Sequence, residues 1–179
     1  MASSRFARPS GTVVHPLQPV YDGASRVLLL GTMPSPLSRK AGYHYGNSRN
    51  RFWAVIAALW DEDVPDSVEA RRDLCHRRHI ALDDVLQSCT ITGASDASIS
   101  DPVPKDLTPI LEAADIRQIF CTGTTAARLY RRLIEPGLDR PCVCLPSTSP
   151  ANARIRLDDL IAAYAPVREA ADAAGEVSA

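Results

Sequence analysis

The chain has 179 residues, 45% hydrophobic and 23% charged, with a formal net charge of −1. That length suits one globular domain with a buried core, and the near-neutral charge excludes a protein that coats nucleic acid by bulk positive charge, leaving room for a local basic face. No apolar run approaches the roughly 20 residues needed to span a bilayer, and Met1 to Pro9 lacks the apolar stretch of a secretory signal.

Residues 1–20 read as an N-terminal tail, residues 21–172 as a single domain, and residues 173–179 as a disordered C-terminal tail. Within the domain, Val27 to Leu30 is a continuous apolar run of strand type, closed by Gly31-Thr32-Met33-Pro34-Ser35. Phe52 to Trp60 has helical spacing, with Phe52, Val55, Ile56 and Leu59 on one face. Asp66 to His79 reads as a polar surface helix capped by Asp66 or Ser67, and Ile80 to Val85 as a short strand. Ser88 to Pro104, rich in Gly, Ser, Asp and Pro, reads as a long loop. A short helix at Leu107 to Ala114 leads to a strand at Ile116 to Cys121, which ends at Thr122-Gly123. Thr124 to Ile134 is helical, Pro141 to Leu145 is a strand, and Leu157 to Ala171 is a closing amphipathic helix.

Strands alternating with helices predict an α/β fold, a three-layer α/β/α sandwich around a mainly parallel central sheet. In such a sheet the polar turns after the strands gather at the carboxyl edge, where ligands bind. Three distant segments then converge there: Gly31 to Ser35, Thr122-Gly123, and Pro146 to Pro150.

The first turn is neither a Walker loop nor Gly-x-Gly-x-x-Gly, which disfavours nucleoside triphosphates and dinucleotides. The second segment, Tyr43 to Trp53, offers rings, amides and cations suited to a flat, phosphate-linked ligand such as a nucleotide turned out of DNA. Its Tyr45 stands beside Gly46 as a ring free to stack, and Arg49 and Arg51 suit phosphates. Phe52 and Trp53 read as core, and Asn50 equally as a helix N-cap. The third segment, Leu145 to Arg154, carries Ser147, Thr148, Ser149, Pro150, Asn152 and Arg154, the composition of a phosphate-gripping loop or of a helix-capping one.

Five scattered cysteines read as reduced thiols of a cytosolic protein. Cys75-His76-x-x-His79 has no second ligand cluster, so no metal site is expected. No Gly-x-Ser-x-Gly elbow supports a serine hydrolase.

Taken in order, these motifs resemble the uracil-DNA glycosylase superfamily, and within it the hypoxanthine-DNA (deoxyinosine) glycosylases. The resemblance runs from about Arg26 to Arg154. It rests on Leu-Leu-Gly-Thr-Met-Pro, Arg-Asn-Arg-Phe-Trp and Leu-Pro-Ser-Thr-Ser-Pro-Ala-Asn-Ala, with support from Asp84 to Cys89 and Ser95 to Ile99. It implies a monofunctional repair enzyme that hydrolyses the N-glycosidic bond of a flipped deaminated base, hypoxanthine before uracil or xanthine. No cofactor or metal is implied. The expected partner is DNA containing deaminated bases, bound by a monomer in the cytoplasm (or nucleus), with abasic-site enzymes acting downstream.

The resemblance assigns Gly31, Thr32, Met33, Pro34, Tyr45 and Thr122 to the base pocket. Asn50 becomes the catalytic residue, its carbonyl orienting water, with Asp84 second; a buried structural carboxylate is the other reading of Asp84. Arg49, Ser147, Thr148, Ser149, Pro150, Asn152 and Arg154 are expected to hold DNA. The chain departs from the family in having Asn47-Ser48 before Arg49-Asn50, Thr122 where an asparagine is common, and Asp83 where a tryptophan is common. A uracil-selective glycosylase and a catalytically weak DNA-binding module on the same fold are the alternatives.

Overall fold

The computed structural model describes residues 10–173; of the tails expected at residues 1–20 and 173–179, residues 1–9 and 174–179 lie outside the described residues. Two sheets organise the chain. The first is parallel, in the order β3 (Ile80–Asp84), β2 (Val27–Gly31), β6 (Gln118–Thr122), β7 (Cys142–Leu145). The second is antiparallel, in the order β1 (Ser10–Val14), β4 (Leu86–Thr92), β5 (Ser100–Pro104).

All five residues of β2 and all five of β3 are buried, as expected of parallel strands covered on both faces. Alternation divides their side chains between two cores. Val27, Leu29, Ile80, Leu82 and Phe120 meet α2 (Phe52–Ala58), α3 (Val68–Arg77) and α7 (Leu157–Asp172). Leu28, Leu30, Ala81, Ile119 and Cys121 meet α4 (Thr108–Ala113), α5 (Thr124–Leu133) and the inner face of β4. The expected three-layer α/β/α arrangement is therefore present, with the antiparallel sheet sharing the second outer layer.

Two expectations are corrected. Residues 10–20 are not a tail: Ser10–Val14 pair antiparallel with Ser88–Thr92, and Val20 bridges Leu82. Residues 88–104 are not a loop but most of β4, a 3-10 turn at Asp96–Ser98, and β5. The pattern hid both strands, because only one face of this sheet is buried and its edge strand β5 carries two prolines. A short helix, α1 (Pro36–Ala41), was also not expected; Ser35 caps it, accepting from Ser38 N–H.

Strand register sets the level of the site. Gly31 lies beside Asp84, and Thr122 beside Leu145, at the carboxyl edge of the parallel sheet. Val85 and Leu86 then donate backbone hydrogen bonds to the Gly31 and Thr32 carbonyls, which pins the turn after β2 to the exit of β3.

Candidate active site

A cleft of about 670 Å³ opens at that edge. It brings together the residues expected from the sequence except Arg51 and Arg154, of which Arg154 is exposed and outside the cleft. The remaining residues differ in what they have free to offer.

Gly31 is required by a carboxylate: a Cβ there would collide with Asp84 Oδ1. Asp84 itself is buried, and its Oδ2 faces two imidazoles, His15 Nε2 at 2.7 Å and His44 Nδ1 at 3.3 Å. Proton positions follow from the other partners of each ring. His15 Nδ1 faces two donors, Leu17 N–H at 3.2 Å and Lys105 Nζ at 3.3 Å, so its Nε2 carries the proton given to Asp84. His44 Nε2 faces the Gln18 carbonyl at 3.0 Å while its Nδ1 faces Asp84. Both nitrogens of His44 must donate, which makes it an imidazolium.

The electrostatics follow. Burial pushes the Asp84 carboxyl upward, but the hydrogen bonds from His15 and His44 and the charge of His44 outweigh it and hold Asp84 well below the usual carboxylate range. Burial pulls His44 down, yet the Asp84 hydrogen bond and charge raise it above the ordinary imidazole value. Beneath them, Lys105 Nζ bonds Asp83, whose carboxyl burial nonetheless raises. Asp84 is thus an ionised group whose Oδ2 is committed to imidazoles and whose Oδ1 lies over Gly31 in the cleft wall.

His15, His44 and Asp84 place three ligand-type atoms within 4.8 Å of one another. A metal on His15 Nε2 would shift that ring's proton to Nδ1, against Leu17 N–H and the Lys105 ammonium. The cluster fits a hydrogen-bond network and does not fit a metal ion.

Asn50 precedes α2, and its Oδ1 accepts from Phe52 N–H at 2.9 Å and from the Thr148 hydroxyl at 2.8 Å. The Phe52 donor fixes the amide orientation, since only oxygen can accept there. The expectation that the Asn50 carbonyl orients water is therefore corrected: that oxygen is filled, and the Nδ2 donor is the available group. Asn50 thus both bonds the first N–H of α2 and lines the cleft.

The loop after β7 is built around this residue. Thr148 is buried, and besides its hydroxyl bond its carbonyl accepts from Arg51 N–H at 3.1 Å. The Arg51 guanidinium donates to the Asn152 and Ile155 carbonyls, and Asn152 Nδ2 donates to the Ser147 carbonyl. Thr148, Asn152 and Arg51 accordingly hold the loop in place. Arg49, Ser147, Ser149 and Pro150 line the cleft, Arg49 with its side chain exposed.

Tyr45 is not a free ring. One face stacks on Phe52, 3.7 Å between centroids at 7°, and its hydroxyl meets Thr122 Oγ1 at 2.9 Å. Burial keeps its phenol protonated far into alkaline pH. Thr122 Oγ1 also donates to the Leu30 carbonyl at 3.3 Å, so this hydroxyl is engaged on both sides. Met33 and Pro34 are buried in the turn, with Met33 packed into the second core.

Four residues here were absent from the expected site: His15, His44, Lys105 and Asp96. His44 stood inside the second motif and Asp96 inside Ser95 to Ile99, so those segments signalled them. His15 had no signal in its neighbourhood, because β1 carries it to the site from 69 residues away.

Fold and cleft define an α/β protein with a cleft at the carboxyl edge of a parallel sheet, lined by a fixed carboxylate and an amide. Residues 18–168 match the profile of the uracil DNA glycosylase superfamily. A Methanosarcina acetivorans protein named hypoxanthine DNA glycosylase is 30% identical over 137 residues, covering 75% of this chain and 85% of the relative. A protein of the same name from Methanosarcina barkeri is 29% identical over 101 residues, covering 52% of this chain and 64% of the relative. The solution NMR structure of a candidate uracil DNA glycosylase from Methanosarcina acetivorans superposes with a TM-score of 0.71 at 26% identity, covering 86% of this chain and 97% of that one. The chain belongs to the uracil DNA glycosylase superfamily, and it is a DNA glycosylase, a hydrolase of N-glycosidic bonds. Among the described residues no helix is long and apolar enough to cross a membrane.

Proposed function

We propose that this enzyme releases hypoxanthine in preference to uracil or xanthine from deaminated DNA, leaving an abasic site without cutting the strand. One observation carries the mechanism: a free amide donor at Asn50 and a carboxylate kept ionised at Asp84 line the same cleft. Heterolysis of the bond leaves positive charge on the sugar and negative charge on the base. Asn50 Nδ2 donates to the reacting nucleotide, where negative charge grows. Asp84 Oδ1 faces the developing oxocarbenium ion and orients the water that attacks C1′. His44 and His15 keep Asp84 ionised and fixed, so they act as positioning residues.

The preference for hypoxanthine is supported by the names of the two Methanosarcina relatives. Strand cleavage would need an amine to form a Schiff base. The only lysines are Lys40 and Lys105, and neither lines the cleft. The enzyme works as a monomer on DNA in the compartment that holds it, cytoplasmic nucleoid or nucleus, and hands abasic sites to a separate processing enzyme. Engagement of the Thr122 hydroxyl by Tyr45 and Leu30 favours one second reading, a uracil-selective enzyme, since that hydroxyl reads no base edge.

The test is base release from matched oligonucleotides carrying deoxyinosine, deoxyuridine or deoxyxanthosine, wild type beside Asn50→Ala. Hypoxanthine release by the wild type, slowed about 10²–10³-fold in the variant, is expected for loss of a transition-state donor. Uracil release alone would establish the second reading. Undiminished release by Asn50→Ala would remove Asn50 from catalysis, and a β-elimination product from pure protein would overturn the monofunctional mechanism.

A further inference from the structure

Asp84 and Asp96 are the two carboxylic side chains that line the cleft, and their surroundings are opposite. Asp84 has two imidazole donors. Asp96, hydrogen-bonded to the Thr32 side chain and with no ion-pair partner among the described residues, sits in the connection between β4 and β5.

That connection is tied down. Ser98 Oγ accepts from Thr92 N–H at 2.9 Å and donates to the Ser95 carbonyl at 2.7 Å. Ser98 N–H closes on the Ser95 carbonyl at 2.9 Å and Ile99 N–H on the Asp96 carbonyl. Gly93, at φ 62°, takes the left-handed turn that starts the segment. The antiparallel sheet thus holds one carboxyl against the Gly31–Thr32 turn, a rigid mounting of the kind an acid needs to meet a reacting atom.

We propose that Asp96 is the general acid that protonates N7 of the departing hypoxanthine, and that it thereby sets a preference for purines over pyrimidines. The proposal rests on the hypoxanthine reading above and adds the residue that decides it. As C1′–N9 breaks, its electron pair passes to the base. The Asp96 O–H bond breaks as the N7–H bond forms, so hypoxanthine departs neutral and Asp96 is left as a carboxylate. Water adds to C1′, its surplus proton leaves through Asp84 to solvent, and Asp96 recovers a proton from solvent. Uracil has no N7 and gains nothing from this acid.

Burial and charge around Asp96 favour its protonated form, the direction a general acid needs. Burial raises its carboxyl above the ordinary value and the Asp84 charge adds to this, against a smaller opposing hydrogen bond from Thr32. The nearby cation, Arg39 on α1, has its guanidinium bound to the Pro34 carbonyl at 2.7 Å. Two carboxyls whose environments drive them apart form an acid–base pair.

Single-turnover release of hypoxanthine and of uracil, measured from about pH 5 to about pH 8 for wild type and Asp96→Asn, tests this below ionisation of the substrate's own N1–H. The variant is expected to lower the hypoxanthine-to-uracil rate ratio about 10²-fold or more, the usual contribution of a general acid. Wild-type hypoxanthine release should fall as pH rises through Asp96 ionisation, while uracil release and the variant lack that limb. Equal slowing of both bases, an unchanged ratio, or a limb that persists in Asp96→Asn overturns the proposal. Should the variant lose its melting transition, the wild-type profiles decide, and a limb shared by both bases overturns it. Wild type releasing no hypoxanthine overturns this proposal together with the function it rests on; an active wild type with an unchanged ratio overturns Asp96 alone.

Discussion

The parallel and antiparallel sheets both end at the cleft, and they furnish it in different ways. From the parallel sheet come level strand ends: Gly31, Asp84 and Thr122 stand at one edge because β2, β3 and β6 run side by side in register. The antiparallel sheet brings side chains from afar. His15 leaves the end of β1, Asp96 sits between β4 and β5, and Lys105 follows β5. The parallel sheet sets Asp84 at the edge, and groups from the antiparallel sheet and the loop after α1 set its charge. The difference teaches that a carboxylate held ionised in a cleft needs both a place to stand and neighbours that decide its protonation.

The largest break in this division is expected from Lys105→Met on the antiparallel side. It removes the cation beside buried Asp83 and one of the two donors facing His15 Nδ1. Unpairing a buried ion pair costs about 3 kcal/mol, which urea unfolding will read; wild-type stability in the variant would show that Lys105 is only a surface group. On the parallel side, Gly31→Ala forces the turn or Asp84 to move. A loss of about 2 kcal/mol is expected, together with a collapse of base release greater than the stability loss explains. Thr148→Val removes one donor from Asn50 Oδ1 while Phe52 N–H keeps the other, so about 1 kcal/mol is expected by thermal melting.

Two smaller effects sharpen the comparison. His44 has a raised pKa in the fold, so its charged form stabilises the enzyme fully below the ordinary imidazole value, and that stabilisation fades as pH rises through the folded value. The stability gap between wild type and His44→Gln should therefore be widest at about pH 5 to 6 and narrow toward alkaline pH, in melting curves across the range. A gap that widens with pH would contradict an imidazolium at that position. Last, Arg49→Ala should lower the salt slope of DNA binding by about 1, and Arg154→Ala should leave it unchanged. A loss of slope at Arg154 instead would extend the DNA footprint past the cleft.

Most of the parallel sheet was legible in the sequence. Val27 to Leu30, Ile80 to Val85, Ile116 to Cys121 and Pro141 to Leu145 are short apolar or turn-bounded runs separated by helical spacing, and such local signals survive without tertiary context. The three turns at the carboxyl edge, and with them Gly31, Tyr45, Asn50, Thr122 and the Ser147 to Pro150 loop, were found from that pattern and from the family strings. The antiparallel sheet was not legible: β1 and β5 are exposed edge strands with polar and proline residues, and their pairing partners lie far along the chain.

What the sequence alone determined is the run of parallel strands with the helices between them, the edge at which the site forms and the family, because each rests on local patterning or on contiguous motifs. Which group at the site is free was decided only in three dimensions. Asn50 gives up its carbonyl to Phe52 and Thr148, Tyr45 and Thr122 spend their hydroxyls on each other, and Asp84 stays charged because His15 and His44 reach it from other segments. Hydrogen-bond partners and burial fix protonation and availability, and both depend on residues that the chain brings together only when it folds.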